Sequence, residues 1–223
     1  MKQLESLYGT LGYRFVDTQL VTTALTHRSA AGNHNERLEF LGDAVLNYAV
    51  SAELYRRFPE ATEGELSRLR ASLVNRDTLA ELARAASLGD YIKLGPGELK
   101  SGGYRRDSIL ADSFEALIGA VYLDAGINQA QDFVVGSLRS RLAACSPSAV
   151  PKDPKTRLQE LLQAQGRPLP AYTVVAIEGE AHNQRFTVAC RVEGVSSEVV
   201  GSGSSRRRAE QSAAQDMLEK LGG

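Results

Sequence analysis

Apolar residues recur at helical intervals through the first two-thirds of the chain, and the pattern changes in the last third. Ala and Leu return three and four positions apart between Gly, Pro and polar clusters. This spacing predicts helices over 19–30, 35–58, 63–74, 76–86, 108–125 and 127–144. Thr62, followed three residues later by Glu65, forms a capping box that opens the third of these. Residues 89–106, with LGPGELKSGGYRR, hold too much glycine for a helix and predict a long structured loop. The segment CSPSAVPKDP carries three prolines and resists regular structure. Beyond it a helix is expected over 155–165, strands over 171–178, 184–193 and 196–201, and a final helix over 204–221. In the second strand Phe186, Val188, Cys190 and Val192 alternate with Arg185, Thr187, Ala189 and Arg191. The expected architecture is an all-α N-terminal domain (1–145), a linker (146–154) and a small α+β domain of order α-β-β-β-α (155–223).

Within the helical part, some polar positions do not read as a plain solvated face. At about 100° per residue, Glu36, Glu39 and Asp43 fall on one narrow stripe, with Leu38, Leu41 and Val45 opposite. Asp112 and Glu115 are three apart, neighbours on one helical face, in a stretch with no Lys or Arg from Ser108 to Gly126. Carboxylates are seldom buried unless paired or bound to metal. Two helices crossing with these stripes opposed would gather four or five acids whose mutual repulsion a divalent cation relieves. An all-oxygen set suits Mg²⁺ or Mn²⁺. Zn²⁺ is disfavoured because no His or Cys stands beside the acids at ligand spacing.

The small domain offers a different chemistry. Its last helix opens with GSGSSRRRAEQ, where Ser204, Ser205, Arg206, Arg207 and Arg208 meet a helix N-terminus. Free amides, the positive dipole end and three cations suit a phosphate, although a solvated basic turn has the same composition. Thr156, Gln159, Glu160 and Gln163 form a polar stripe opposite the leucines of the first helix, and His182 sits in the turn between the first two strands. Such groups can reach 2′-hydroxyls in the shallow groove of duplex RNA.

Composition adds limits. Hydrophobic residues are 43% and charged residues 24% of the 223, the profile of a globular protein. No apolar run approaches the ~20 residues of a membrane span, and the N-terminus lacks the apolar core of a signal peptide. Two cysteines in different regions imply no disulfide framework. A cytoplasmic protein is expected. The net charge of −1 gives no hint of a polyanionic partner, so any basic surface must come from local clustering.

These residues together resemble one family. NERLEFLGDAVL is similar to the signature of ribonuclease III, SILADSFEALIGAVYLD to that family's second acidic segment, and KDPKTRLQELLQ with GSGSSRRRAEQSAA to its double-stranded-RNA-binding domain. The resemblance spans essentially the whole chain, in the order of the short bacterial form. It implies that Glu39, Asp43, Asp112 and Glu115 bind catalytic Mg²⁺, with Mn²⁺ able to substitute, and that Asp43 and Glu115 matter most. It further implies that Glu36 and Glu63 assist in the processing centre. By the same resemblance, Phe40 inserts into a partner subunit of a homodimer; an intramolecular core position is the other reading of that ring.

The implied activity is two-metal hydrolysis of double-stranded RNA. It leaves 5′-phosphate and 3′-hydroxyl ends with short 3′ overhangs, on precursors of ribosomal RNA and other structured transcripts, messenger and transfer RNA among them. Arg105 and Arg106, in the glycine-rich loop, are expected to touch RNA backbone. Neither a membrane nor a nucleotide cofactor is expected. Two other readings stand beside this one. A protein that only binds duplex RNA needs the same C-terminal domain without the acids. A carboxylate-bridged di-iron bundle needs Glu-x-x-His pairs, where this chain has Glu-x-x-Glu and Asp-x-x-Glu spacings.

Overall fold

A computed structural model describes residues 4–147, 153–180 and 184–222. The chain divides into two compact units, Met1–Val150 and Pro151–Gly223. In the first, the helices are α1 (Leu4–Leu11), α2 (Thr18–Ala24), α3 (Glu36–Arg57), α4 (Glu63–Leu73), α5 (Arg76–Ala85), α6 (Pro96–Lys100), α7 (Asp107–Ser137) and α8 (Arg139–Ala144).

The centre of this unit is α7 packed along α3. From Ala116 to Val121 every residue of α7 is buried, so this stretch of the helix is apolar all round and enclosed by its neighbours. On α3 the buried set is Leu38, Gly42, Val45, Leu46, Ala49, Val50 and Leu54, one stripe at helical spacing, together with Glu53, which is ion-paired to Arg56 and Arg57. Leu38 and Val45 thus face the core as the pattern predicts, and Leu41 is half-buried. The Thr62 capping box is present in full.

Several local expectations are corrected. The chain forms an unforeseen helix, α1, whose Leu7 and Tyr8 plug into the core. The helix expected to run to residue 30 stops at Ala24, because the backbone beyond pairs with a distant segment. Lys93 N donates to Leu25 O at 2.7 Å and His27 N donates to Lys93 O at 3.0 Å. Long-range pairing outweighs local helical preference there. The expected loop at 89–106 contains the short helix α6, begun by Pro96 at a first-turn position. The break expected between 125 and 127 is real: Gly126 takes φ 82°, a left-handed value suited to glycine.

The second unit has α9 (Pro154–Ala164), β1 (Ala171–Glu178), β2 (Arg185–Arg191), β3 (Val199–Gly203) and α10 (Arg206–Lys220). Its antiparallel sheet has the order β1-β2-β3. Leu158 and Leu162 of α9 meet Cys190 and Val192 and the Ala213, Met217 stripe of α10 in a small separate core. The third strand lies a few residues later than the 196–201 expected. Its glycines serve packing. A Cβ on Gly201 would overlap the backbone nitrogen of Ala213, so glycine lets α10 lie directly on β3.

Candidate metal centre and nucleic-acid interface

Helices α3 and α7 cross at two glycines. A Cβ built on Gly42 would overlap the carbonyl oxygen of Glu115, and one built on Gly119 would overlap that of Leu38. Only glycine permits such an approach, and it brings the acidic stripe of α3 beside that of α7. Nothing in the spacing of the acids reveals this pair; the small residues within both acidic motifs are the one available signal.

At the crossing, Glu39, Asp112 and Glu115 each offer a carboxylate oxygen, all within 4.8 Å of one another. The three side chains are half-buried. Burial raises the Glu115 carboxyl to about 7, helped by the negative charges of Asp43, Asp112 and Glu39, with Arg76 only partly offsetting them. Burial and then Asp112 push Glu39 upward. Asp112 is raised by burial despite Arg76, His27 and Arg28. Acids so placed stay ionised together at neutral pH only beside a positive charge. An oxygen-only donor set, without His or Cys among the three, fits a hard divalent cation.

The other acids are arranged differently. Asp43 is exposed at the edge of the cluster, outside the set of mutually close oxygens, yet its charge is the largest of the neighbouring charges acting on Glu115. Asn47 Nδ2 donates to Asp43 Oδ1 at 2.8 Å and to its backbone oxygen at 2.9 Å, which fixes the carboxylate. Glu36 is exposed and turns to Arg28, 3.0 Å away, and to His34 Nδ1 at 3.6 Å. Glu63, exposed in the first turn of α4, accepts from the Ser67 hydroxyl at 2.7 Å. Neither Glu36 nor Glu63 belongs to the group whose oxygens converge. The expected cluster of four or five acids is therefore three, with Asp43 on the rim. Side-chain reach, which helical angles do not report, decides who joins.

A cleft of about 680 Å³ opens beside this cluster, with Glu39 and Asp112 in its wall and Asn35, Arg28, Arg106 and Ser108 around it. Arg106 pairs with Glu98 at 3.1 Å, and Arg105 lies 5.0 Å over the Tyr104 ring. Phe40, on α3, is 81% exposed, which rules out the intramolecular core position. Tyr48 and Tyr55 continue an exposed aromatic stripe along the same helix.

In the second unit Gln159, Glu160 and Gln163 are exposed on α9, opposite buried Leu158 and Leu162. Thr156 is less available than expected: its hydroxyl donates to Asp153 Oδ2 at 2.8 Å within the helix cap. At the start of α10, Ser205 accepts from the Arg208 amide as the cap, and Arg208 donates to the Ser204 hydroxyl at 3.1 Å. Arg206, Arg207 and Arg208 are all exposed, and Arg206 donates to Glu210 at 2.9 Å. His182 lies outside the described residues. Among the described residues no helix is long and apolar enough to cross a membrane.

Comparison with known proteins agrees with this arrangement. Residues 17–142 match the ribonuclease-III-like family and residues 154–221 the double-stranded RNA binding motif. Ribonuclease 3 of Vibrio cholerae is 59% identical over 218 residues, covering 98% of this chain and 97% of that protein. Ribonuclease 3 of Shewanella amazonensis is 57% identical over 221 residues, covering 99% and 98%. Among solved structures, the nuclease domain of ribonuclease III from Campylobacter jejuni superposes with a TM-score of 0.61 at 43% identity. That likeness covers 63% of this chain and 97% of that one. A second structure of the same domain, with a TM-score of 0.60 at 42% identity over 62% of this chain and 97% of that one, describes flexibility in a region involved in dimer formation. A helical nuclease fold with paired acids at a glycine crossing, a separate duplex-RNA-binding motif and near-full-length relatives lead to one conclusion: the chain belongs to the ribonuclease III family.

Proposed function

We propose that this protein is an endoribonuclease that hydrolyses phosphodiester bonds of double-stranded RNA with the help of Mg²⁺, for which Mn²⁺ can substitute. The convergence of Glu39, Asp112 and Glu115 from two helices carries the reading. It distinguishes a nuclease from a protein that only binds RNA, which needs no such cluster. The di-iron reading fails on the same ground, because no His takes part in the group.

Glu39, Asp112 and Glu115 would hold the metal, with Asp43 beside them. When bound, a pair of divalent ions acidifies the attacking water and neutralises charge on the phosphate. The chain's own residues do the rest. Asn47 occupies Asp43 Oδ1, leaving Oδ2 to accept a hydrogen bond from water and orient it toward phosphorus. The products are a 5′-phosphate and a 3′-hydroxyl. Glu36 and Glu63 act at the edge of the processing centre, not as ligands. Duplex RNA is gripped by the second unit, through Gln159, Glu160 and Gln163 of α9 and Ser204, Ser205 and Arg206–Arg208 at the start of α10, and Thr156 and His182 take part in the contact. Arg105 and Arg106 hold its backbone near the cut.

The exposed stripe of Phe40, Tyr48 and Tyr55 supports a homodimer in which a second copy covers α3. Two-fold symmetry presents the site twice, so both strands are cut and short 3′ overhangs remain. Precursors of ribosomal RNA and other structured transcripts in the cytoplasm are the proposed substrates.

The test is a labelled duplex incubated with and without Mg²⁺, using wild type and Glu115→Gln. Only wild type with Mg²⁺ is expected to cut, while Glu115→Gln still binds the duplex in Ca²⁺. Removing a metal-binding charge should cost several kcal/mol of barrier, about 10²–10³ in rate. Cleavage by Glu115→Gln within a few-fold of wild type would remove the assignment.

A further inference from the structure

Asn35 stands at the N-cap position of α3 but does not cap it. Asp17, Thr62, Asn75, Asp153 and Ser205, at the corresponding positions of their helices, all accept a hydrogen bond from a first-turn amide. The backbone of Asn35 is firmly tied: its N–H donates to Thr26 O at 2.9 Å and its carbonyl accepts from Glu39 N at 2.8 Å. The side chain is 2% exposed, and its Nδ2 has no hydrogen-bond partner. A buried amide left unsatisfied is costly, and a cap foregone adds to that cost. Unpaired groups of this kind call for a physical reason.

The surroundings supply one. Asn35 lines the cleft beside the acidic cluster. Ser108 and Ile109, in the first turn of α7, line the same cleft, and α7 likewise has no side-chain cap. Two uncapped helix starts therefore border one cavity, and each presents a positive dipole end. Arg28 and Arg106 stand on its wall, and the two acids there that could oppose an anion, Glu36 and Glu98, are each paired with one of those arginines. The remaining acids of the wall, Glu39 and Asp112, belong to the proposed metal centre, so an anion in the cleft lies next to that centre.

We infer that this cleft is a subsite for a phosphate of the cut RNA strand, adjacent to the scissile one, and that Asn35 Nδ2 donates to its non-bridging oxygen. Asn35 is then a substrate-binding residue that sets where the strand lies relative to the metal. This rests on the proposed nuclease activity, deepening it by one contact. A ribose 2′-hydroxyl would satisfy the same donor, but the two helix dipoles favour the charged oxygen.

The experiment uses the full-length protein with Asn35→Asp, which turns the donor into an acceptor, and Asn35→Leu, which removes the polar group while keeping the number of side-chain heavy atoms. Thermal unfolding of Asn35→Leu is expected to match or exceed wild type, because an unsatisfied amide is gone. Single-turnover cleavage should fall about tenfold for Asn35→Leu, the worth of one hydrogen bond to a charged oxygen, and further for Asn35→Asp. A duplex with a neutral methylphosphonate next to the cut should slow wild type by a similar factor and leave Asn35→Leu unaffected. Cleavage by Asn35→Leu within twofold of wild type overturns the inference. So does a loss that merely tracks lowered stability, or coupling to a 2′-deoxy substitution in place of the methylphosphonate. If wild type cuts and the variants are indifferent, only this contact falls. If wild type does not cut, the nuclease reading falls, and duplex affinity in Ca²⁺ still compares wild type with both variants on the same two duplexes.

Discussion

Replacing Gly42 by Ala sets two effects against each other. Inside a helix, Ala is favoured over Gly by about 1 kcal/mol, so propensity alone predicts a more stable protein. The added methyl, however, would fall on the carbonyl oxygen of Glu115, a backbone atom that no rotamer change can move. Overpacking of this kind costs about 1–3 kcal/mol, and a backbone clash belongs at the upper end. The net expectation is a loss of about 1–2 kcal/mol, or a midpoint lowered by roughly 5 °C in a unit of this size. Function should suffer more than stability. Separating α3 from α7 pulls Glu39 away from Asp112 and Glu115, and a displacement of about 1 Å can cost ~10²-fold in rate. Gly9→Ala in α1, where nothing lies within 4 Å of the new methyl, is the control and should stabilise slightly. Calorimetry with single-turnover cleavage measures both quantities. A Gly42→Ala protein that melts higher than wild type and cuts at the normal rate would refute the role assigned to the crossing.

The metal-free protein should carry a pH signature from Glu115. Its carboxyl is raised from the ordinary 4.5 to about 7 in the folded state, so between those values the folded protein binds more protons than the unfolded one. Stability from this group is then lost as pH rises through that window. Wild type should lose more stability between pH 5 and 7 than Glu115→Gln, as read from denaturant midpoints, and equal slopes would count against the cluster. For the proposed dimer, Phe40→Asp should shift sedimentation toward the monomer and lower cleavage while leaving the fold intact by circular dichroism, because the ring is 81% exposed within one chain. An unchanged dimer would remove Phe40 from the interface.

Much of the architecture was legible because it rests on local chemistry. The apolar spacing of α3 and the unbroken apolar run of α7 mark core helices, since each periodicity can be buried in only one way. The capping box at Thr62 is likewise contained within a few residues, whereas the alternation expected of β2 is interrupted, since Val188, Ala189 and Cys190 are all buried. The premature end of α2 was not legible, because its cause is a backbone pairing with Lys93, far along the chain. The packing role of Gly201 and Gly203 was not legible for a related reason: their closest neighbours lie in another element, α10.

The candidate site divides along the same line. That a crossing of α3 and α7 would gather their acids was an expectation open to the sequence by itself, since charged stripes on otherwise apolar helices have few stable arrangements. Which of them meet was decided by tertiary structure. Gly42 and Gly119 set the distance between the helices, Asn47 holds Asp43 at the rim, and Arg28 draws Glu36 aside. Periodicity assigns a face to each residue, but only the packed backbone determines how far its side chain must reach.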